Sequence, residues 1–128
     1  MKATELRIGN WVEIKDQEVK TYAQIEGIGN LQQVAGQLWS IEELEPIPLT
    51  EEWLDRFGFD EHWFKQYEFT NWGIKVRKDP YAISETKWIV FHGFANQFSE
   101  LVSLKYVHSL QNLYFCLTNE ELEYDANR

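Results

Sequence analysis

An α+β fold is predicted by three features of this 128-residue chain. Short apolar runs broken by Gly, Asn and Pro fill its first 48 residues, a capped helix signal spans Thr50 to Gly58, and a helical stripe from Tyr106 to Leu117 follows a second series of strands. With 44% hydrophobic and 16% aromatic residues, the chain has enough apolar material for a core at this length. The expected architecture is an amino-terminal SH3-like small β-barrel over 1–48, a bridging helix and turn over 49–63, and an antiparallel β-meander closed by a carboxy-terminal helix over 64–128, all on one shared core.

The first segment reads as four or five short strands. In "LRIGNWVEI" a turn at Gly9 and Asn10 precedes Trp11, Val12 and Ile14, and "KTYAQIEGIG" alternates until Gly27 and Gly29 break it. Leu31 to Val34, a turn at Ala35 and Gly36, and Leu38 to Ile41 follow, and "EELEPIPL" is an acidic turn leading into an extended run stiffened by Pro46 and Pro48. Strands this short and closely spaced suit a small barrel.

"LTEEWLDRFGF" is the clearest helix signal. Thr50 can cap it, Glu51 and Glu52 stand in the first turn where the macrodipole favours negative charge, and Gly58 can take the left-handed position after the last turn. Trp53, Leu54 and Phe57 then share one face.

Strands return after residue 64. "NWGIKVRK" alternates Trp72, Ile74 and Val76 with Lys75 and Arg77, which predicts a core face and a basic face. "KWIVFHGF" is apolar on both faces, so Lys87 to His92 is expected as a central strand covered on each side. "YAISE" and "FSELVSLK" flank it as further strands, with turns at Asp79-Pro80 and Gly93 to Gln97.

The terminal helix carries two stripes. Val107, Leu110, Tyr114 and Leu117 form the expected core stripe, while His108, Gln111, Asn112 and Phe115 form a second one without any charge. A wet helix face normally shows Lys and Glu. The second stripe is therefore expected to be half-buried, its polar groups bonded to neighbouring loops in the favoured reading or to a partner in the other.

Twelve basic against 21 acidic residues give a net charge of −9, which opposes phosphate backbones and favours a basic protein surface. Only residues 64 to 106, with six basic and four acidic side chains, run the other way. The single cysteine, Cys116, has no intramolecular disulfide partner, and no stretch reaches the length of a membrane span. The expected location is the cytoplasm.

The phrases "LRIGNWV", "EELEPIPLTEEWLDRFGF" and "LKYVHSLQNLYFCLTNEEL" resemble those of an uncharacterised family of short proteins encoded by Bacteroidetes genomes and their phages. They stand in the same order and cover about 45 residues, counted from the quoted phrases themselves. The resemblance implies a setting, a bacterial or phage accessory protein, and no reaction.

The residues point to no reaction either. His62, His92 and His108 lack paired ligand spacing, "GIG" at Gly27 to Gly29 reads as a strand-ending turn, and there is no nucleophile motif. The expectation is a non-enzymatic protein with no cofactor and no metal that acts by binding. Its expected partner is a host protein or ribonucleoprotein with a basic surface, met through Glu42, Glu43, Glu45, Glu51 and Glu52 and, in the second reading of the helix, His108, Gln111, Asn112 and Phe115. Such a protein would serve as an inhibitor of host defence, in the manner of anti-CRISPR proteins. The alternative is an RNA- or DNA-binding accessory module that stacks bases on Trp11, Tyr22 and Trp39 and meets phosphates with Lys75 and Arg77. Self-association, as a structural protein or a dimer, is a further alternative.

Overall fold

The computed structural model describes residues 1–61, 68–71, 73–82, 86–94 and 97–128. They divide into two compact units, one of residues 1–47 with 106–121 and the other of residues 48–105 with 122–128.

The first unit is built on a five-stranded antiparallel sheet. Strands β1 (Trp11–Ile14), β2 (Thr21–Gly27), β3 (Gln32–Val34), β4 (Gln37–Trp39) and β5 (Leu44–Glu45) take the order β4-β3-β2-β1-β5. The two end strands do not pair with each other, so the expected barrel is a curled half-barrel. Alternation along β1 buries Val12 and Ile14, which join Leu6, Ile25, Val34 and Leu44 in one apolar cluster with Ala23, Trp39 and Ile41 packed against it. Gly36 takes the left-handed conformation, with φ +75°, in the tight turn between β3 and β4.

The terminal helix, α2 (Val107–Thr118), belongs to this first unit, whereas the sequence reading assigned it to the meander. Its apolar stripe fits either partner equally well. What places it is the polar stripe, whose hydrogen bonds run to the segment before β1 and to β1 itself. The helix ends at Asn119, whose left-handed backbone (φ 59°) lets its N–H bond back to the Phe115 carbonyl at 2.8 Å.

The second unit begins with α1 (Glu51–Arg56), which forms as the sequence predicts. The Thr50 hydroxyl accepts from the Trp53 N–H at 3.4 Å, Gly58 has φ +85°, and the Gly58 and Phe59 amides bond back to the Asp55 and Leu54 carbonyls, both at 2.9 Å. Buried Trp53, Leu54 and Phe57 form its inner face.

The meander is a second five-stranded sheet in the order β10-β9-β8-β7-β6. Its members are β6 (Asp60–Glu61), β7 (Glu68–Asn71), β8 (Ile74–Lys78), β9 (Trp88–Phe94) and β10 (Gln97–Leu104). Ile74 and Val76 are buried as expected, and Lys75 and Arg77 occupy the opposite face. Strand β9 departs from expectation on one side. Trp88 and Val90 are buried, but Ile89 and Phe91 on the other face are only half-buried. Phe91 lies beneath cations instead of beneath a helix, with the Lys75 ammonium 5.6 Å and the Arg77 guanidinium 4.9 Å from its centroid. Within the core the Trp88 indole N–H donates to the Leu49 carbonyl at 2.9 Å, and its ring meets Phe69 edge-on at 5.9 Å. Asp79 closes its expected turn by accepting from the Tyr81 N–H at 2.9 Å. Of the expected "YAISE" strand, Tyr81 and Ala82 are not in a strand, and Ile83 to Glu85 lie outside the described residues, as do Trp72 and His62.

Candidate functional site

Acidic side chains and a concave surface come together in the first unit. Ser40 starts a short 3-10 turn, Ile41–Glu43, that leads directly into β5. Glu43 turns back to cap this turn. Its carboxylate accepts from the Ser40 N–H at 3.1 Å and the Ser40 hydroxyl at 3.0 Å, so one oxygen is already engaged. Glu42 and Glu45 are exposed and line a hollow of about 560 Å³ with Met1, Lys15, Ile41, Leu44, Pro46 and Tyr106. Lys15 reaches Glu45 at 3.9 Å, and Glu42 makes no ion pair among the described residues. The hollow thus combines an aliphatic and aromatic wall with two carboxylates and one resident cation.

Of the five candidate glutamates, three therefore sit on one short segment and two of those face the hollow. Glu51 and Glu52 belong to the second unit, where they occupy the first turn of α1 and Glu52 approaches Arg56 at 3.7 Å. Sequence reading missed Tyr106, Ile41, Lys15 and Met1 as lining residues. Only Pro46 and the charged run "EELE" marked the place, because a concavity depends on the curl of the sheet and not on residue type.

The uncharged stripe of α2 is engaged within the unit. Gln111 is 1% exposed; its side-chain oxygen accepts from the Trp11 N–H at 2.9 Å and its amide donates to the Gly9 carbonyl at 3.0 Å. Asn112 accepts from the Arg7 Nε and from the Asn10 amide, both at 2.9 Å, and donates to the Glu5 carbonyl at 2.8 Å. Phe115 is half-buried beneath the Arg7 guanidinium, which stands 4.4 Å from its centroid and also pairs with Glu121 at 2.6 Å. His108, 2% exposed, stacks on Tyr106 and approaches Glu5 at 3.5 Å. Burial pulls its pKa below the ordinary value, and the Glu5 carboxylate opposes that shift. These side chains hold α2 to the segment from Glu5 to Trp11.

The three rings of the nucleic-acid reading are not gathered into one platform. Trp39 packs against the first core and its indole N–H donates to the Val34 carbonyl at 3.2 Å. Trp11 is half-buried and Tyr22 exposed, on the outer face with Glu13, which stands directly across from Tyr22. Lys75 and Arg77 belong to the second unit, and Lys75 is 3.4 Å from buried Glu68. Among the described residues, the rings that meet these two cations are Phe91 and Phe98, the latter 4.4 Å from the Lys75 ammonium. Sequence reading passed over both, because cross-strand neighbours become visible only with the register.

Among the described residues, no group of three or more His, Cys, Asp or Glu side chains is arranged to hold a metal ion, and no helix is long and apolar enough to cross a membrane. Neither a protein-family model, nor a curated protein, nor a solved structure matches the chain.

Proposed function

We propose that this chain is a non-enzymatic interaction protein whose first unit takes a basic side chain of a partner protein into the hollow between Glu42, Glu45 and Tyr106. The observation that carries the reading is the pairing of two exposed carboxylates with a wall of Ile41, Leu44, Pro46 and Tyr106. Lysine and arginine match that lining, since their stems pack on apolar surface and their heads require an anion. Lys15 beside Glu45 is a resident example. The net charge of −9 supports the same reading, because it draws basic surfaces from a distance. Taken with the resemblance to Bacteroidetes and phage proteins, the partner we propose is a host protein or ribonucleoprotein with a basic surface, and the effect an anti-CRISPR-like inhibition of host defence.

Titration of the isotope-labelled full chain with a short Lys/Arg peptide tests the hollow. Amide shifts are expected at Glu42, Leu44, Glu45 and Tyr106, to disappear in Glu42→Lys with Glu45→Lys, and to survive Lys75→Glu with Arg77→Glu. Shifts elsewhere, or shifts that survive the Glu42/Glu45 reversal, overturn the reading.

A nucleic-acid role has one specific observation in its favour, the placing of Lys75 and Arg77 against Phe91 and Phe98 on one face of the meander. Labelled single-stranded RNA and DNA, titrated at low and moderate salt, separate the two readings. Tight binding that Lys75→Glu with Arg77→Glu abolishes would favour nucleic acid over a basic protein.

A further inference from the structure

The chain changes unit shortly after α2. Glu121 belongs to the first unit and residues 122–128 to the second, where they lie against α1 without forming helix or strand. Tyr124 sets its ring against Trp53 at 5.1 Å and meets Phe57 edge-on at 6.2 Å. The Asp125 N–H donates to the Arg56 carbonyl at 2.8 Å, and the Arg56 guanidinium donates to the Ala126 carbonyl. The Arg128 guanidinium reaches Asp55 at 3.4 Å and also pairs with Asp60. Helix α1 and the start of β6 thus engage an extended segment through a ring, two main-chain groups and a cation.

The segment is held lightly. Leu122 is its only buried residue, Tyr124 is 36% exposed, and the two carboxylates that Arg128 meets are exposed, so solvent screens both pairs. Few buried contacts and exposed main-chain bonds put such a segment at the low end of local stability. What it covers is of the opposite kind. With the segment in place Trp53 is 7% and Phe57 3% exposed, and its departure uncovers the sides of both rings that Tyr124 meets. A surface that is easily vacated and unfavourable to leave bare is suited to exchange one segment for another that brings the same groups.

We infer that this face of α1 is a binding site for an extended peptide segment of a partner protein, an aromatic residue followed four positions on by Arg or Lys, and that residues 122–128 occupy it in cis as a strap. The spacing is that of Tyr124 and Arg128. The recognising groups are those the strap already uses: Trp53 and Phe57 for the ring, Arg56 for the main chain, and Asp55 with Asp60 for the cation. Charge complementarity favours a basic segment, since the net charge of −9 attracts it and the acid pair receives its head. The partner segment binds only where the strap has left. A strap docked about nine-tenths of the time lowers the apparent affinity about tenfold. This inference concerns the second unit and is independent of the hollow in the first.

Two measurements on the full chain test it. Hydrogen exchange needs no variant: the Asp125 N–H should exchange through a local opening, at a rate insensitive to low urea, and faster than the Phe59 N–H, which bonds to the Leu54 carbonyl at 2.9 Å. The site itself is probed with a fluorescein-labelled peptide of the strap, Leu-Glu-Tyr-Asp-Ala-Asn-Arg, and a scrambled peptide of the same composition. Each is titrated into the intact chain and into Tyr124→Ala with Arg128→Ala, which keeps buried Leu122. The vacated chain should bind the strap peptide about tenfold more tightly than the intact one, and adding Asp55→Asn with Asp60→Asn should weaken that binding by about tenfold. An Asp125 N–H as protected as that of Phe59, no binding to the vacated chain, equal binding to both chains, or equal binding of the scrambled peptide would overturn the inference. So would a dimer that Tyr124→Ala with Arg128→Ala abolishes, because the occupant would then be a second copy.

Discussion

The Gln111 side chain and the Trp11 backbone are joined at 2.9 Å, the helix oxygen accepting the N–H that opens β1. The same amide donates to Gly9, so one side chain satisfies two main-chain groups of the first sheet from a 1% exposed position. Gln111→Ala removes both bonds, while the Gly9 carbonyl keeps the Gln24 amide at 2.9 Å. The expected loss is about 1 to 3 kcal/mol in all, read as a fall in melting temperature with the helix content retained.

Arg7 and Asn112 should behave as a coupled pair. The guanidinium donates to Asn112 while lying over Phe115, a combination that needs a planar fork. Arg7→Lys is expected to destabilise nearly as much as Arg7→Ala. A double-mutant cycle with Asn112→Ala, measured by urea unfolding, should show a coupling of about 0.5 to 3 kcal/mol.

His108 should make stability depend on pH. Burial lowers its folded pKa below 6.5, against the pull of Glu5, so below pH 6.5 the unfolded chain binds the proton first. Stability is therefore expected to fall as pH drops from 6.5 toward the lowered folded value and to level off beneath it. His108→Gln should flatten that part of the curve, measured as urea midpoints between pH 5 and pH 8, a window set by the ordinary histidine range of about 6.5.

Gly58 isolates a backbone effect. Among the described residues, a Cβ there would meet only the Asn71 amide nitrogen at 3.8 Å, an ordinary contact, while φ is +85°. Gly58→Ala should thus cost about 1 to 2 kcal/mol from conformation alone. Gly58→Asn should cost less, and thermal melts of the two variants provide the comparison.

Much of the local structure was legible in the residues. The cap at Thr50, the left-handed Gly58, the turn at Ala35-Gly36 and the burial of Ile74 and Val76 against outward Lys75 and Arg77 all depend on neighbours within a few positions in the chain. The uncharged face of α2 was also legible as a face with work to do, because solvent-exposed helices rarely go so long without Lys or Glu. Its partners, Glu5, Arg7, Gly9 and Asn10, lie about 100 residues away, and nothing in the helix itself names them.

By itself the sequence determined the class of fold, the strand and helix chemistry and the acidic balance, since each follows from periodicity, caps, turns and counted charges. Tertiary structure alone decided that α2 joins the first unit, that the first sheet curls without closing, that Glu42 and Glu45 share a hollow with Tyr106 and that Phe91 lies beneath Lys75 and Arg77. The physical reason is that an apolar stripe specifies burial but not the surface that buries it. Selection among surfaces falls to directional groups, here the amides of Gln111 and Asn112, whose hydrogen bonds exist only where the distant backbone presents matching donors and acceptors.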